Sequence, residues 1–490
     1  MMEKSIRRRK KTTRFLRSCT ALFLACAAAF TFSGCSGSAL GAGSAPAVSS
    51  AASEPSRRTA ASAQAVSGPS PVSSAPASSA PASSAVSAAS GKKKGGTFRS
   101  VSTPLTAEAA PRQTLQPVAA APGAYPEVRQ RGAYSSLPAG ERTLYDKIGE
   151  SVLSISNQKS GDGVYPAARI LVSGKISEAR LRVVLQAYFD DNPQVFWLTN
   201  HYSYGYGNGQ TELRLFSALS PQEYAAAVRK LQEAVSAALK AVPAGLSEFD
   251  REEALFGFLT GRCAYDHAAV TDPGRWQSFT AYGALVNGLA VCEGYAKAMQ
   301  LLAGYAGLNC AVVHGSADGE GHTWNAVEIG GNWYHLDVTW GDDDFPVYNY
   351  FNVTDAVIGL THSIGKPASS LTDAQICGGN VPYNVFLPAC GSADANYFRR
   401  KGIPSGSGDA AVTAALAREM KAKKTTIAFF LSGSAGFDAQ LREMMDGPSY
   451  RLDRWLKAAA KQSGSTPDYG SLTYVSDPAD RGVTLRVRYR

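Results

Sequence analysis

Residues 286–340 constrain the fold more than any other part of the chain, because a helical pattern is followed there by a hairpin pattern. From Cys292 onward, small and apolar residues recur at helical spacing until glycines end the run at Gly304 and Gly307. A cysteine in the first turn of a helix lies at the positive end of the helix dipole, which favours the thiolate. The sequence therefore predicts a helix that begins at Cys292 and presents its thiol as a nucleophile.

The second half of this stretch has the pattern of a β-hairpin. Residues 322–329 and 332–339 are rich in Trp, Val, Ile, Tyr and Thr, and the pair Gly330-Gly331 separates them. Two consecutive glycines suit the tight two-residue turn that joins antiparallel strands, since both positions of that turn favour positive φ. We therefore predict two strands joined at these glycines.

The register of this hairpin decides which side chains can work together. A two-residue turn places Ile329 opposite Asn332, and hence Trp324 opposite Asp337. His322 and Asp337 then become diagonal neighbours on one face of the sheet, whereas a slip of one residue would place them on opposite faces. In the predicted register Asp337 can orient the His322 imidazole toward a thiol, as a Cys-His-Asp acyl-transfer site requires.

Three blocks of this stretch resemble the transglutaminase-like (papain-like) core, and more narrowly the form found in bacterial surface lipoproteins. The blocks are VCEGYA at 291–296, HTWNAVE at 322–328 and WYHLDVTW at 333–340, within a weaker resemblance over 191–400. The resemblance implies an α+β fold with a papain/transglutaminase-like core, with the cysteine on a helix N-terminus and the histidine and aspartate on an antiparallel sheet. It assigns the catalytic roles to Cys292, His322 and Asp337.

Other residues of the core are weaker candidates. The backbone N–H of Cys292 is the expected oxyanion donor, because the first N–H groups of a helix have no acceptor within it. Tyr282 and Gln277 are candidates for a second donor from a side chain. His335 shares strand parity with Asp337 and is the one rival to His322 as the base.

Structural roles are expected for two further histidines and three carboxylates. We expect His314 and His362 to be satisfied core residues. The run at residues 342–344 consists of three aspartates, but no spaced second set of oxygen ligands accompanies it. A solvated loop is therefore preferred to a calcium site, and no metal or cofactor is expected.

The distribution of charge argues against a nucleic-acid partner. The whole chain of 490 residues has a formal charge of +9. Residues 1–34 carry eight Lys or Arg and one Glu, and residues 35–125 carry seven and two, so residues 126–490 have a formal charge of −3. Because the basic excess lies outside the expected folded part, nothing supports nucleic-acid binding.

The N-terminal 34 residues have the pattern of an export signal. A charged segment with Arg7, Arg8, Arg9 and further basic residues precedes an apolar run at 18–33. The sequence FSGC that ends at Cys35 resembles the lipobox of bacterial lipoproteins, although that family usually has Leu where Phe32 stands. The resemblance implies lipidation of Cys35 and a location on the outer face of the bacterial cytoplasmic membrane. The alternative is an ordinary secretory peptide cut near the same place.

The remaining chain divides into four expected parts. Residues 35–136 contain the lipid-attachment cysteine and a linker of Ser, Ala and Pro, too poor in large apolar residues to fold. We then expect an N-terminal α/β region at 137–245, the catalytic core at 246–400 and a small C-terminal α/β appendage at 401–490. In the N-terminal region, Tyr202, Tyr204 and Tyr206 could stack on glycans, but such a strand more often belongs to a core.

The chain has eight cysteines, and four of them have no other assignment. Cys19 and Cys26 belong to the signal peptide, Cys35 to the lipid site and Cys292 to the catalytic site. The remaining four are Cys263, Cys310, Cys377 and Cys390. Export permits disulfides, and the pair Cys377–Cys390 is the first to test, although the sequence cannot decide it.

These observations predict a surface-tethered thiol enzyme that acts on peptide or protein amides, with cell-wall peptide among the possible substrates. Hydrolysis is preferred to transfer onto an amine, because water is abundant and no stretch identifies an amine channel. Two alternatives stay open besides a crosslinking transglutaminase. One is a non-catalytic adhesin or wall-binding scaffold, and the other is a chain in which Cys292 is an ordinary buried thiol.

Overall fold

The computed structural model describes residues 7–8, 131–446 and 450–490, apart from the side chains of residues 7, 8 and 273. Cys35 and the predicted linker up to residue 130 lie outside the described residues, as does the predicted signal peptide except Arg7–Arg8. Those two residues form a short strand that pairs in parallel with Thr473 and Tyr474. Among the residues described, no helix is long and apolar enough to cross a membrane.

The N-terminal region is a three-stranded antiparallel sheet flanked by helices, and it packs beside the core. Its strands are β1 (Tyr165–Ser173), β2 (Leu198–Gly207) and β3 (Gln210–Ser217), in the order β1-β3-β2. Its helices are α1 (Gly132–Ser136), α2 (Ala139–Ser151), α3 (Glu178–Asp191) and α4 (Pro221–Lys240). Ser220 and Glu223 form a capping box at the start of α4. Residues 192–197 lie between α3 and β2, and the strand begins at Leu198.

The core places one long helix against a five-stranded antiparallel sheet. After α5 (Glu248–Thr260), two short parallel strands, β4 (Ala264–Tyr265) and β5 (Leu289–Ala290), lead into α6 (Cys292–Tyr305). The sheet strands are β6 (Cys310–Ala317), β7 (Glu320–Ile329), β8 (Asn332–Leu336), β9 (Phe351–Val353) and β10 (His362–Ile364). Their order is β9-β8-β7-β6-β10, so β7 is central.

The hairpin register is the predicted one as far as Leu336. Ile329 pairs with Asn332 and Asn325 with Leu336, and both turn glycines have positive φ, 60° at Gly330 and 80° at Gly331. The second strand is shorter than the predicted 332–339, because Asp337 caps the four-residue helix α7 (Val338–Gly341). The expectation that Asp337 lies within the strand is therefore wrong, because the strand ends at Leu336 and Asp337 is the next residue.

The remaining elements close the core and form a second hydrophobic cluster. Short elements follow the sheet: α8 (Asp355–Ile358), β11 (Lys366–Pro367), α9 (Asp373–Gly378), β12 (Tyr383–Asn384) and α10 (Tyr397–Lys401). The C-terminal part contains β13 (Ile403–Pro404), α11 (Asp409–Lys421), β14 (Thr426–Phe430), α12 (Phe437–Met445), α13 (Arg451–Ser463), β15 (Thr473–Asp477) and β16 (Gly482–Arg486). Its apolar side chains pack around Trp455 as a cluster separate from that of the core. Helix α12 was not predicted from the sequence. The division of the folded chain into parts at 137–245, 246–400 and 401–490 stays a prediction.

The cysteine pair suggested for a first test, Cys377–Cys390, is not bonded in the described part of the chain. Cys263, Cys310, Cys377 and Cys390 are all free thiols in the part of the chain that the structure describes. Cys377 lies on α9, which packs against α3, whereas Cys390 is wholly buried beside Val313 and Trp324 under the sheet. The two cysteines are close in sequence but belong to different clusters, so their suggested pairing is wrong.

A buried carboxyl of α5 gives a stability prediction. Glu252 is fully buried, its Oε2 accepts from Asn352 Nδ2 at 2.6 Å, and its Oε1 has no partner. Burial raises the pKa of Glu252 from 4.5 to about 8. The unfolded chain releases this proton near pH 4.5, so the free energy of unfolding falls as pH rises toward about 8. We expect Glu252→Gln to raise stability at pH 8 by roughly 1–3 kcal/mol relative to pH 4, measured by urea unfolding at both pH values. An equal effect of the substitution at both pH values would contradict it.

Candidate active site

Cys292 is the first residue of α6, and the strands before it fix its position. Val291, at the N-cap, is extended and donates its N–H to Ser278 O at 2.9 Å. Two residues into the helix, Gly294 lies so close to the 278–280 segment that an added Cβ would be 2.4 Å from Ser278 O. Only glycine fits there, which explains the glycine of the VCEGYA block. Cys292 is buried, and 8% of the residue's surface is accessible to solvent.

His322 lies on the central strand β7 and faces both other members of the predicted triad. Its Nε2–H donates to Asp337 Oδ2 at 2.8 Å. Burial alone lowers the pKa of His322, but the charge of Asp337 and hydrogen bonds to Asp337 and Cys292 outweigh burial and raise it to about 10. The imidazole is therefore protonated at neutral pH and lies next to the Cys292 thiol.

Asp337 is held by three donors. Its Oδ2 accepts from His322 and also from His362 Nε2 at 3.1 Å, while its Oδ1 accepts from Trp340 N–H at 3.1 Å. Thr361 Oγ1 lies 2.8 Å from His362 Nδ1, which leaves Nε2 to donate. Burial opposes ionisation of Asp337, but the charge and the hydrogen bond of His322, with the bond from His362, hold the pKa of this carboxyl well below its usual range. Asp337 is thus a fixed anion beneath His322.

Aromatic rings enclose the charged pair. The Trp324 ring is nearly parallel to His322, with centroids 5.9 Å apart and an interplanar angle of 22°. The ring of Trp340, whose backbone N–H donates to Asp337, lies 6.0 Å from His322 and 4.7 Å from His362. Such walls limit the access of water to the imidazole, which strengthens its interaction with Asp337.

The two side-chain candidates for an oxyanion donor have contacts of their own. Tyr282 stacks on Phe196 with centroids 4.8 Å apart, and Gln277 Oε1 accepts from Asn287 Nδ2 at 2.8 Å. Neither contact directs a donor toward Cys292, so both candidates remain predictions. The N–H of Cys292 itself, at the first position of α6, has no acceptor within the helix.

The other histidines of the core are occupied elsewhere. His335, the rival base, is fully buried and contacts Trp324 and Asp355 instead of Asp337. His314 Nε2 lies 2.8 Å from Asp190 Oδ1 of α3, which joins the N-terminal region to β6. His362 also belongs to the site, because its Nε2 and that of His322 donate to the same oxygen of Asp337. No pattern in the sequence indicated this contact.

The acidic run and the tyrosine run are explained by contacts. Asp342 accepts a hydrogen bond from Tyr295 Oη at 2.5 Å, and burial raises the pKa of its carboxyl to about 6. Asp342 thus accepts a hydrogen bond from a residue of α6 and is not wholly solvated.

Tyr202 and Tyr204 both donate to Glu178 at the start of α3, and of the three tyrosines of this strand only Tyr206 is exposed. The tyrosines therefore belong mainly to the packing of the N-terminal sheet.

Two groups of described residues have the composition of a metal site. They are His322 with Asp337 and His362, and His335 with Asp355 and Cys390. In the first group, both imidazoles use Nε2 to donate to Asp337, so the carboxylate already satisfies them. Hydrogen bonding therefore accounts for this arrangement without an ion.

A known family profile matches the segment that holds the candidate site. Residues 236–338 match the profile of the transglutaminase-like superfamily. This chain contains a transglutaminase-like domain. That matched segment includes α5, α6, the hairpin and all three residues of the predicted triad.

Two curated proteins are similar to part of this chain. The kyphoscoliosis peptidase of Mus musculus is 30% identical over 143 residues, which cover 26% of this chain and 21% of the peptidase. The Homo sapiens protein of the same name is 31% identical over 107 residues, covering 19% and 16%. The chain thus spans about a fifth or less of the length of these curated relatives.

Two solved structures are similar to the fold. One is described as a TGase, with 18% identity, a TM-score of 0.22 and coverage of 36% of this chain and 51% of that one. The other is described as a candidate cysteine protease from Cytophaga hutchinsonii, with 13% identity, a TM-score of 0.20 and coverage of 38% and 70%.

Proposed function

We propose that this chain is a thiol enzyme that transfers acyl groups from peptide or protein amides, with Cys292 as nucleophile, His322 as acid and base, and Asp337 as the group that orients the histidine. The observation that carries the proposal is the hydrogen-bonded pair of His322 and Asp337 with the Cys292 thiol as the neighbour of the imidazole. This pair has the parts and order of a nucleophile, a base and an orienting carboxylate.

The first half of the reaction uses the charged imidazole. In the reactive form, in which His322 carries the proton, the Cys292 thiolate attacks the substrate carbonyl carbon to give a tetrahedral oxyanion. We assign the Cys292 N–H, at the start of α6, as one donor to that oxygen. When the C–N bond breaks, His322 donates its proton to the departing amine, which leaves a thioester on Cys292.

The second half returns the enzyme to its starting state. His322, now neutral, accepts a proton from the incoming nucleophile as it attacks the thioester carbonyl. The Cys292 thiolate then leaves, and His322 is again protonated beside it. Water as the nucleophile gives a carboxylic acid, whereas a primary amine gives a new amide.

We propose hydrolysis as the main outcome. Water is the abundant nucleophile, and the matched relatives carry the name peptidase. The alternatives are a crosslinking transglutaminase and a non-catalytic adhesin or wall-binding scaffold. An intact Cys292–His322–Asp337 arrangement favours an enzyme over a scaffold, because a scaffold has no need of a charged imidazole held beside a thiol.

The test offers a labelled primary amine together with a glutamine-containing acceptor protein and follows the products by mass spectrometry. We expect cleaved or deamidated product without an amine adduct, in wild type but not in Cys292→Ala. Adducts that depend on Cys292 would make the protein a transglutaminase in the strict sense. Equal product formation by wild type and Cys292→Ala would remove the enzyme hypothesis.

We further propose that the mature protein is a surface lipoprotein, anchored through Cys35 on the outer face of the bacterial cytoplasmic membrane. The lipobox-like FSGC and the long Ser, Ala and Pro segment after it support this proposal. We expect the protein to enter the detergent phase in Triton X-114 partitioning, and Cys35→Ala to move it to the aqueous phase. A wild-type protein found wholly in the culture fluid would contradict the anchor.

A further inference from the structure

A second aspartate–histidine pair lies beside the one at the site. His335, on β8, is fully buried, and its Nε2 lies 2.8 Å from Asp355 Oδ1. Asp355 begins α8, and its other carboxylate oxygen accepts the N–H of Cys390 at 3.1 Å while its own N–H donates to Cys390 O. The carboxylate is thus held in place from two sides.

This pair fixes the tautomer of His335. Because Asp355 accepts from Nε2–H, Nδ1 of the neutral ring is left as an acceptor, and Trp324 Nε1–H donates to it at 3.0 Å. An indole nitrogen can only donate, so the opposite tautomer would set two N–H groups against each other. Burial lowers the pKa of His335, which keeps the ring neutral as this bond requires.

The anchored indole is the one that faces the catalytic imidazole. Trp324 is 1% exposed, its ring lies nearly parallel to His322, and its other neighbour His362 meets it edge-on at 5.1 Å and 66°. A cation near the face of an indole is attracted by the ring. The position of the Trp324 ring therefore bears on both the orientation and the charge of His322.

We propose that His335 and Asp355 are positioning residues that hold the Trp324 indole flat against His322, so that the charged imidazole keeps its orientation between Asp337 and Cys292. This inference rests on the proposed catalytic role of Cys292 and His322. In this proposal, the role of His335 is to accept the hydrogen bond from the Trp324 indole N–H. A metal ion on His335 Nε2 does not fit, since it would require a hydrogen on Nδ1 facing the indole N–H.

The charged and titratable neighbours of both histidines enter the design of the test. Around His322 they are Asp337, Cys292, His362 and Glu320. Around His335 they are Asp355, His362 and Cys390. None of these is changed in the variants below, and a Trp324→Phe background separates an effect that passes through Trp324 from one that passes through His362, the neighbour of both histidines.

The test measures the rate at which iodoacetamide alkylates Cys292 at pH 7, a readout that needs no substrate. We expect His335→Leu to slow alkylation about tenfold, since it leaves the indole N–H without an acceptor and frees the ring. His335→Asn, which offers a side-chain oxygen near the position of Nδ1, should recover most of the wild-type rate. In a Trp324→Phe background the same His335→Leu change should have an effect of about twofold or less, because no N–H remains to be held.

The outcomes separate this inference from the proposed function. If His322→Ala leaves alkylation of Cys292 unchanged, the proposed function fails. If His322→Ala slows alkylation but His335→Leu does not, the positioning role is overturned. It is also overturned if His335→Leu slows alkylation by the same factor in the wild-type background and in the Trp324→Phe background.

A spectroscopic measurement covers the case in which His335→Leu does not fold. Spectra of wild-type protein with ¹⁵N-labelled histidine should show His335 neutral, with its hydrogen on Nε2 and a bare Nδ1. A hydrogen on Nδ1 of His335, or a charged His335 at pH 7, would also overturn the proposal.

Discussion

Cys292→Ala is expected to lower turnover of a peptide amide by roughly 10⁴-fold or more, since no other group can form the thioester. The physical reason is that loss of the nucleophile removes the covalent route while leaving substrate binding largely intact. The measurement is the single-turnover rate with a fluorogenic peptide, together with a thermal melt to show that the protein is folded.

The matched control for this prediction is Cys377→Ala. Cys377 is a free thiol on α9, partly exposed, and burial raises its pKa, which disfavours the thiolate. This variant should keep wild-type turnover. A loss of activity in Cys377→Ala as large as that in Cys292→Ala would place the reactive thiol elsewhere.

Asp337→Asn is expected to lower turnover by roughly 10²–10⁴-fold and to change the pH profile. The asparagine amide would face the N–H groups of both His322 and His362, so at least one imidazole must turn or change tautomer. The wild-type mechanism needs a protonated His322, so activity should fall as pH rises through about 10, where that pKa lies. Without the carboxylate this alkaline limb should move down toward the ordinary histidine value, near 6.5.

The control for charge alone is Asp344→Asn. Asp344 is exposed in the loop after α7, and its substitution changes the net charge by the same amount. We expect the alkaline limb to stay near that of wild type in this variant. An Asp337→Asn enzyme whose alkaline limb did not move would contradict the role given to the carboxylate.

Much of the site could be predicted because its parts depend on local rules. Two glycines with positive φ fix the hairpin register, and that register sets the positions of His322 and Leu336. The start of α6 at Cys292 likewise follows from helix periodicity within one segment. Local turn and helix geometry thus sufficed to bring the thiol, the imidazole and the carboxylate into one prediction.

The rest of the site depends on contacts between distant parts of the chain. His362 donates to Asp337 from a strand at the other edge of the sheet, and no local pattern distinguishes it from a core histidine. The same holds for Asp355, which selects the tautomer of His335 across 20 residues. The strand ended early because Asp337 accepts the N–H of Trp340, a competition between capping and strand pairing that β-propensity does not show.

The central claim is that Cys292 is the activated thiol, and the distribution of a limiting dose of iodoacetamide over the cysteines tests it most directly. Cys377 is more exposed than Cys292, so labelling governed by exposure would favour Cys377. We expect peptide mapping to find the label mainly on Cys292 in wild type, and His322→Ala to remove this preference. Labelling that follows exposure in wild type, or a Cys292 rate unchanged in His322→Ala, would contradict it.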